Sequence, residues 1–178
     1  MIFFLMKLTR LFPLLIRITL IILPSCFNDE KDKDYSAWRE ENTIAFQDSA
    51  MLLDDAGKLV YTEITPDWDK SFTILMRWHN NREENTNLVN PLSNSTCHVK
   101  YTLTNIAGDT LDSSSSFTCV PNQMVTGFMA ALTNMVVNDT VTAVLPYTAG
   151  YGAYGYGNVY PFSTLVFGIR LDSISKLM

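Results

Sequence analysis

Apolar and polar positions recur with different periods along the chain, and each period predicts an element. The first 26 residues, MIFFLMKLTRLFPLLIRITLIILPSC, are predominantly apolar and carry Lys7, Arg10 and Arg17. From Ser36 to about Leu53, SAWREENTIAFQDSAMLL has a mixed helical spacing that Asp54, Asp55 and Gly57 end, which predicts a helix. KLVYTEI then reads as a strand and TPDWDK as a turn. SFTILMRWHN is a second strand with Phe72, Ile74, Met76 and Trp78 on one face, completing a hairpin. NREENTNLVNPLSNS is polar and rich in turn formers, hence a loop.

The second half alternates more strictly. CHVKYTLT turns Cys97, Val99, Tyr101 and Leu103 inward and His98, Lys100, Thr102 and Thr104 outward, so Tyr101 faces an interior or a pocket. Gly108 marks a turn, and LDSSSSFTCV continues as a strand whose serine run predicts a bulge. MVTGFMAALTNM is a short helix with Phe128, Met129 and Leu132 in one apolar stripe. VTAVLP and STLVFGIRLDSI close the fold as strands; in the latter Leu165, Phe167, Ile169 and Leu171 alternate with Thr164, Val166, Gly168 and Arg170. Antiparallel-type strands around one short helix predict an α+β domain.

Between those last two strands lies GYGAYG, Gly150 to Gly155, which matches the G-x-G-x-x-G of dinucleotide-binding loops letter for letter. An apolar strand precedes it and Asp172 follows at about the expected distance of ~20 residues. The phosphate site nevertheless requires a helix directly after the glycines, so that its first amides meet the anion. Here Pro161 and an alternating strand follow instead. Only seven residues remain after Leu171, too few for a crossover helix and a second parallel strand. A nucleotide ligand is therefore not expected.

Composition sharpens the picture. The chain has 178 residues, enough for one domain with extensions, and 47% of them are hydrophobic, which suits a packed core. The basic, apolar start ends at a small residue and a cysteine and reads as a signal segment; its charge-free stretch from Ile18 to Leu23 is far shorter than the ~20 residues of a membrane span. Without it the chain keeps 10 Lys plus Arg against 18 Asp plus Glu, a net charge of −8, which argues against nucleic acid as a partner. FNDEKDKDYS has no apolar period and reads as a charged tether. Of the three cysteines, Cys97 and Cys119 remain beyond that segment, each in a strand. They form either a disulfide or two buried thiols. No Cys/His spacing suggests zinc, and the two histidines, His79 and His98, read as solvent-facing strand residues. No metal or cofactor is expected.

The order and spacing of several short pieces resemble the FKBP-type peptidyl-prolyl isomerases. These are Tyr101-Thr102, Gly108, Leu111-Asp112-Ser113-Ser114, Met124-Val125-Thr126-Gly127-Phe128, Leu145-Pro146 through Tyr151-Gly152, and Val159-Tyr160-Pro161 through Leu165-Val166-Phe167. The match runs from about Pro91 to Ile174. It implies an FKBP-like antiparallel half-barrel sheet wrapped around one short helix over residues 58–178, with the helix at 36–57 as an extra. It also implies that GYGAYGYG overhangs a proline pocket. Asp112, Tyr151 and Tyr101 would be the catalytic polar groups, and Leu111, Met124, Val125, Phe128, Val159 and Phe167 would hold the substrate, with Phe128 as the floor. The partners implied are proline-containing polypeptides. Leu23-Pro24-Ser25-Cys26 similarly resembles the lipobox of bacterial lipoproteins. It implies a signal peptide over 1–25, acylation of Cys26, a tether over 26–35, and a lipid anchor in the outer membrane of a bacterial envelope, facing periplasm or cell surface.

The chain departs from the family pattern at Leu111, where Phe is usual, at Phe128, where Trp is common, and at Tyr160, where a proline would stand. The segment from Asp112 to Gly127 is about two residues short, which leaves Ser115 near the place of a usual pocket aromatic and makes Phe117 a neighbouring core residue. These changes imply a softened pocket with weak or substrate-restricted activity. Two functions follow: a prolyl isomerase assisting the folding of exported proteins, or a non-catalytic module that binds a peptide or partner protein. Exposure of Trp68 and Trp78 would favour the second, whereas burial against the N-terminal helix would make them core.

Overall fold

The computed structural model describes residues 34–84 and 88–175, in which one antiparallel sheet carries the alternating segments. The predicted signal segment, Cys26 and most of the tether lie outside the described residues. Helix α1 spans Ser36–Ala50, and strands β1 (Thr62–Ile64) and β2 (Ile74–Trp78) form the expected hairpin. Strands β3 (Thr96–Thr104) and β4 (Thr110–Cys119) precede helix α2 (Thr126–Thr133), and β5 (Thr140–Leu145) and β6 (Leu165–Ser175) follow it. The sheet order is β1-β2-β5-β6-β3-β4, every pair antiparallel, so the fold is α+β as the alternation implies.

Register sorts the side chains into two faces. Met76, Ala143, Phe167 and Leu103 lie across the sheet in one row, and Trp78, Val141, Ile169 and Tyr101 in the next. These rows meet Phe128, Ala131 and Leu132 of α2 in the core. Helix α2 comes close to the sheet because Gly127 has no side chain: a Cβ there would stand 2.5 Å from Cγ of the buried Leu145.

The opposite face is polar over β3 and β6, with Lys100 opposite Arg170 and Thr102 opposite Gly168. It turns apolar where Leu75, Val144 and Val166 align. Helix α1 lies here, touching β5, and Asn42 at its buried centre accepts from the Thr164 amide at 2.7 Å while its carbonyl accepts from the Thr164 hydroxyl at 2.8 Å. This explains why Ile74, Leu75 and Met76 are all buried although β2 was expected to bury one face only. A strand covered on both sides loses its polar alternation.

Two boundaries differ from the sequence reading. The N-terminal helix stops at Ala50, and Leu53 pairs back on Leu59 around a turn in which the Asp54 carboxylate accepts from the Ala56 and Lys58 amides and Gly57 takes φ +75°. That local turn takes the first residues of KLVYTEI away from the sheet, so β1 keeps only Thr62–Ile64. Among the described residues no helix is long and apolar enough to cross a membrane.

Candidate functional site

GYGAYG forms no phosphate cradle. Tyr147–Ala149 make one 3₁₀ turn, the following residues are turns, and Tyr156 bridges to Val159. Gly155 takes φ +68°, and a Cβ there would collide with the Val159 carbonyl, so the glycines serve a tight loop. That loop hangs over a cavity of about 460 Å³ set between the inner face of the sheet and the start of α2.

Rings form the walls. Tyr101 projects from β3 and meets Phe117 edge-on at 5.3 Å, with Phe128 and Phe167 at 6.2 and 6.3 Å; Phe128 and Phe167 meet at 5.1 Å. Edge-to-face contacts of this kind hold the rings in place beyond what burial alone provides. Val125, with an extended backbone at the N-cap of α2, and Met124 before it contribute the apolar rim, and Leu103 and Gln123 complete the lining.

The polar groups converge at the mouth. The Tyr101 hydroxyl donates to Asp112 at 2.6 Å, and the other carboxylate oxygen accepts from the Ser113 amide at 2.8 Å. Burial pushes the Tyr101 phenol up to about 12, and the Asp112 hydrogen bond and charge add to that, so Tyr101 remains a donor at neutral pH. The Tyr151 ring stacks on Tyr156 at 5.5 Å with an interplanar angle of 15°. Burial, the Asp112 charge and Tyr156 raise its phenol as well. Among the described residues the Tyr151 hydroxyl makes no hydrogen bond, so it is a protonated donor available to a ligand.

Of the residues singled out in the sequence, Asp112, Tyr151, Tyr101, Met124, Val125, Phe128 and Phe167 line this one cavity. Leu111 and Val159 do not. Leu111 packs at the edge of the core, and Val159 is buried beneath the loop through its bridge to Tyr156. Phe117, expected as a core neighbour, does pack against the core, and it lines the cavity as well. The cause is the bulge: Tyr101 pairs with Ser114 and Val99 with Phe117, so Ser115 and Ser116 together oppose Lys100. Without the extra residue Phe117 would point to the other face. The serine run signalled the bulge but not its phase. Leu103 was legible from its two-residue spacing from Tyr101, whereas nothing in the loop distinguished Tyr156 from its neighbouring tyrosines.

The other candidates fall outside the site. Cys97 and Cys119 are opposite one another in the β3–β4 register, buried and free. His79 is exposed, and His98 is half-buried between Thr118 and Ser175. Trp68 is 50% exposed against Phe72, while Trp78 is half-buried, packs against the core and donates to Asp139. Among the described residues no group of three or more His, Cys, Asp or Glu could hold a metal ion.

An antiparallel sheet wrapped around a short helix, with a ring-lined cavity and a tyrosine-rich loop over its mouth, defines an FKBP-like domain. Residues 89–172 match the family model for FKBP-type peptidyl-prolyl cis-trans isomerases. Two solved structures are similar. One is a peptidyl-prolyl cis-trans isomerase from Pseudomonas syringae pv. tomato, at 24% identity over 82% of this chain and 98% of that one, with a TM-score of 0.66. The other is FkpA from Escherichia coli, at 19% identity over 78% of this chain and 61% of that one, with a TM-score of 0.62. A search of curated proteins found no significant match.

Proposed function

We propose that the ring-lined cavity is the proline pocket of a peptidyl-prolyl cis-trans isomerase acting on extended polypeptides. The observation that carries this reading is the convergence of the Tyr101–Asp112 pair and the unpartnered Tyr151 hydroxyl at the mouth of an otherwise apolar cavity. Rotation about an Xaa-Pro bond meets a barrier of about 18–20 kcal/mol because twisting the amide sacrifices its resonance. No nucleophile is needed. The proline ring enters the space among Tyr101, Phe128 and Phe167, which removes water from the imide, and Tyr151 donates to a substrate carbonyl. Contacts that tighten only in the twisted form lower the barrier, and each ~1.4 kcal/mol gained there is tenfold in rate. Asp112, fixed by Tyr101 and the Ser113 amide, presents a carboxylate beside the mouth that orients the bound backbone. The smaller floor of Phe128 in place of an indole supports weak or substrate-restricted turnover.

The same proposal places the enzyme in the bacterial envelope, lipid-anchored at Cys26 and assisting exported proteins; Leu23-Pro24-Ser25-Cys26 supports that part. NMR exchange on a series of Xaa-Pro peptides tests the activity, with Asp112→Ala and Tyr151→Phe beside the native chain. Acceleration that falls at least tenfold in Tyr151→Phe and less in Asp112→Ala is expected. A flat result from the folded native chain would sink the catalytic reading and leave the cavity a peptide-binding site.

A further inference from the structure

The loop over the cavity is gripped at both ends by a helix that lies outside the matched family segment. Arg39 of α1 places its guanidinium 5.4 Å from the centre of the Tyr147 ring and 5.1 Å from that of Phe162, and donates to the Tyr147 hydroxyl at 2.9 Å. Tyr147 and Phe162 meet each other edge-on at 5.4 Å. Tyr147 opens the loop and Phe162 closes it, so one side chain ties together the two ends of the segment that carries Tyr151 and Tyr156.

Neighbouring contacts repeat the pattern. Trp38 meets Tyr160 edge-on at 5.9 Å and its indole nitrogen donates to Ser163 at 3.3 Å, while Asn42 holds Thr164. Phe162 also has φ +60°, a conformation that a bulky residue adopts only where surrounding contacts impose it. Within the loop, Gly152 donates to the Tyr147 carbonyl at 3.0 Å and accepts from the Phe162 amide at 2.9 Å, which closes the neck on the inside.

The geometry points to α1, and to Arg39 above all, as a positioning element that holds the tyrosine loop over the proline pocket. Arg39 touches no substrate; it acts through Tyr147 and Phe162 on the placement of Tyr151 and Tyr156. This inference rests on the proposed isomerase reading for its kinetic consequence but not for its structural one.

The test compares Arg39→Ala, Arg39→Lys and the control Glu40→Ala, an exposed position on the same helix, in two measurements on the full chain. In the Xaa-Pro assay, Arg39→Ala raises KM about fivefold, the size expected from losing two exposed cation–ring contacts, with kcat changed less than about twofold. Arg39→Lys recovers part of the loss, because an ammonium keeps the charge without the planar stacking. In amide hydrogen exchange, Gly152 and Phe162 speed up in Arg39→Ala while Leu171, in the central strand, does not; Glu40→Ala changes neither. Unchanged exchange at Gly152 and Phe162, or an equal rise at Leu171, would overturn the proposal. A native chain inert toward Xaa-Pro peptides would remove the catalytic reading and leave the exchange result to decide the clamp.

Discussion

Tyr101 connects the core to the site at the level of a single side chain. Its ring belongs to the aromatic wall, and its hydroxyl reaches Asp112 at 2.6 Å. Burial favours the neutral phenol, and the adjacent carboxylate repels a phenolate, so both push the ionisation up to about 12. The fold therefore stabilises the protonated form: that contribution is complete below the unfolded value near ~10 and is lost as pH rises through about 12. Ultraviolet titration of the eight tyrosines should show a late phenol near 12 that disappears in Tyr101→Phe. All phenols titrating together near ~10 in the folded protein would contradict it. The pair was accessible from the sequence because an alternating strand placed Tyr101 inward and the family resemblance supplied Asp112. Phe117 was not, since its orientation depends on whether two residues or one oppose Lys100, which only the strand pairing settles.

Among elements, the turn between α2 and β5 shows what local pattern misses. Asp139 looks like one more polar turn residue, yet it is 0% exposed. Its carboxylate accepts from the Val136 amide at 3.0 Å, the Trp78 indole at 3.2 Å and Asn80 at 3.1 Å, and pairs with Arg82 at 3.3 Å. Arg82 in turn lies over the Trp78 ring at 5.1 Å. The turn thereby docks the end of β2 and the loop after it, two segments about sixty residues away in the chain. Asp139→Ala would leave the buried Val136 amide and the half-buried Trp78 and Asn80 donors without their acceptor, a change that typically costs about 1–3 kcal/mol. Urea unfolding checks this: a loss below about 1 kcal/mol would mean that water replaces the carboxylate at no cost. Helix α1 was similarly half-legible. Its existence followed from spacing, but its early end and its burial of a central Asn42 did not, because the partner that satisfies Asn42 is Thr164 at the far end of the chain.

Across the whole molecule, the sheet is enclosed unequally, with α2 and the cavity on one face and α1 over part of the other, and the edge of that enclosure decides the chemistry of the thiols. Cys97 and Cys119 sit opposite one another on β3 and β4 within the core beyond the aromatic wall. Burial pushes the Cys97 thiol up to about 12, with its neighbour Cys119 contributing, and the Cys119 thiol up to about 11. Because the thiolate is the reactive form, both should resist alkylation in the folded state at pH 8. The sign follows as for Tyr101: folding favours the protonated thiols, and this contribution is lost only as pH rises through about 11 to 12. Treatment with iodoacetamide at pH 8, followed by mass spectrometry of the peptides bearing each residue, should leave both unmodified until denaturant is added. Labelling of Cys119 alone in the native chain would mean that β4, the outermost strand beside β3, opens independently of the sheet and exposes the wall that carries Phe117. Protection of both would instead bind the aromatic wall to the cooperative core, so that the cavity persists as long as the fold does.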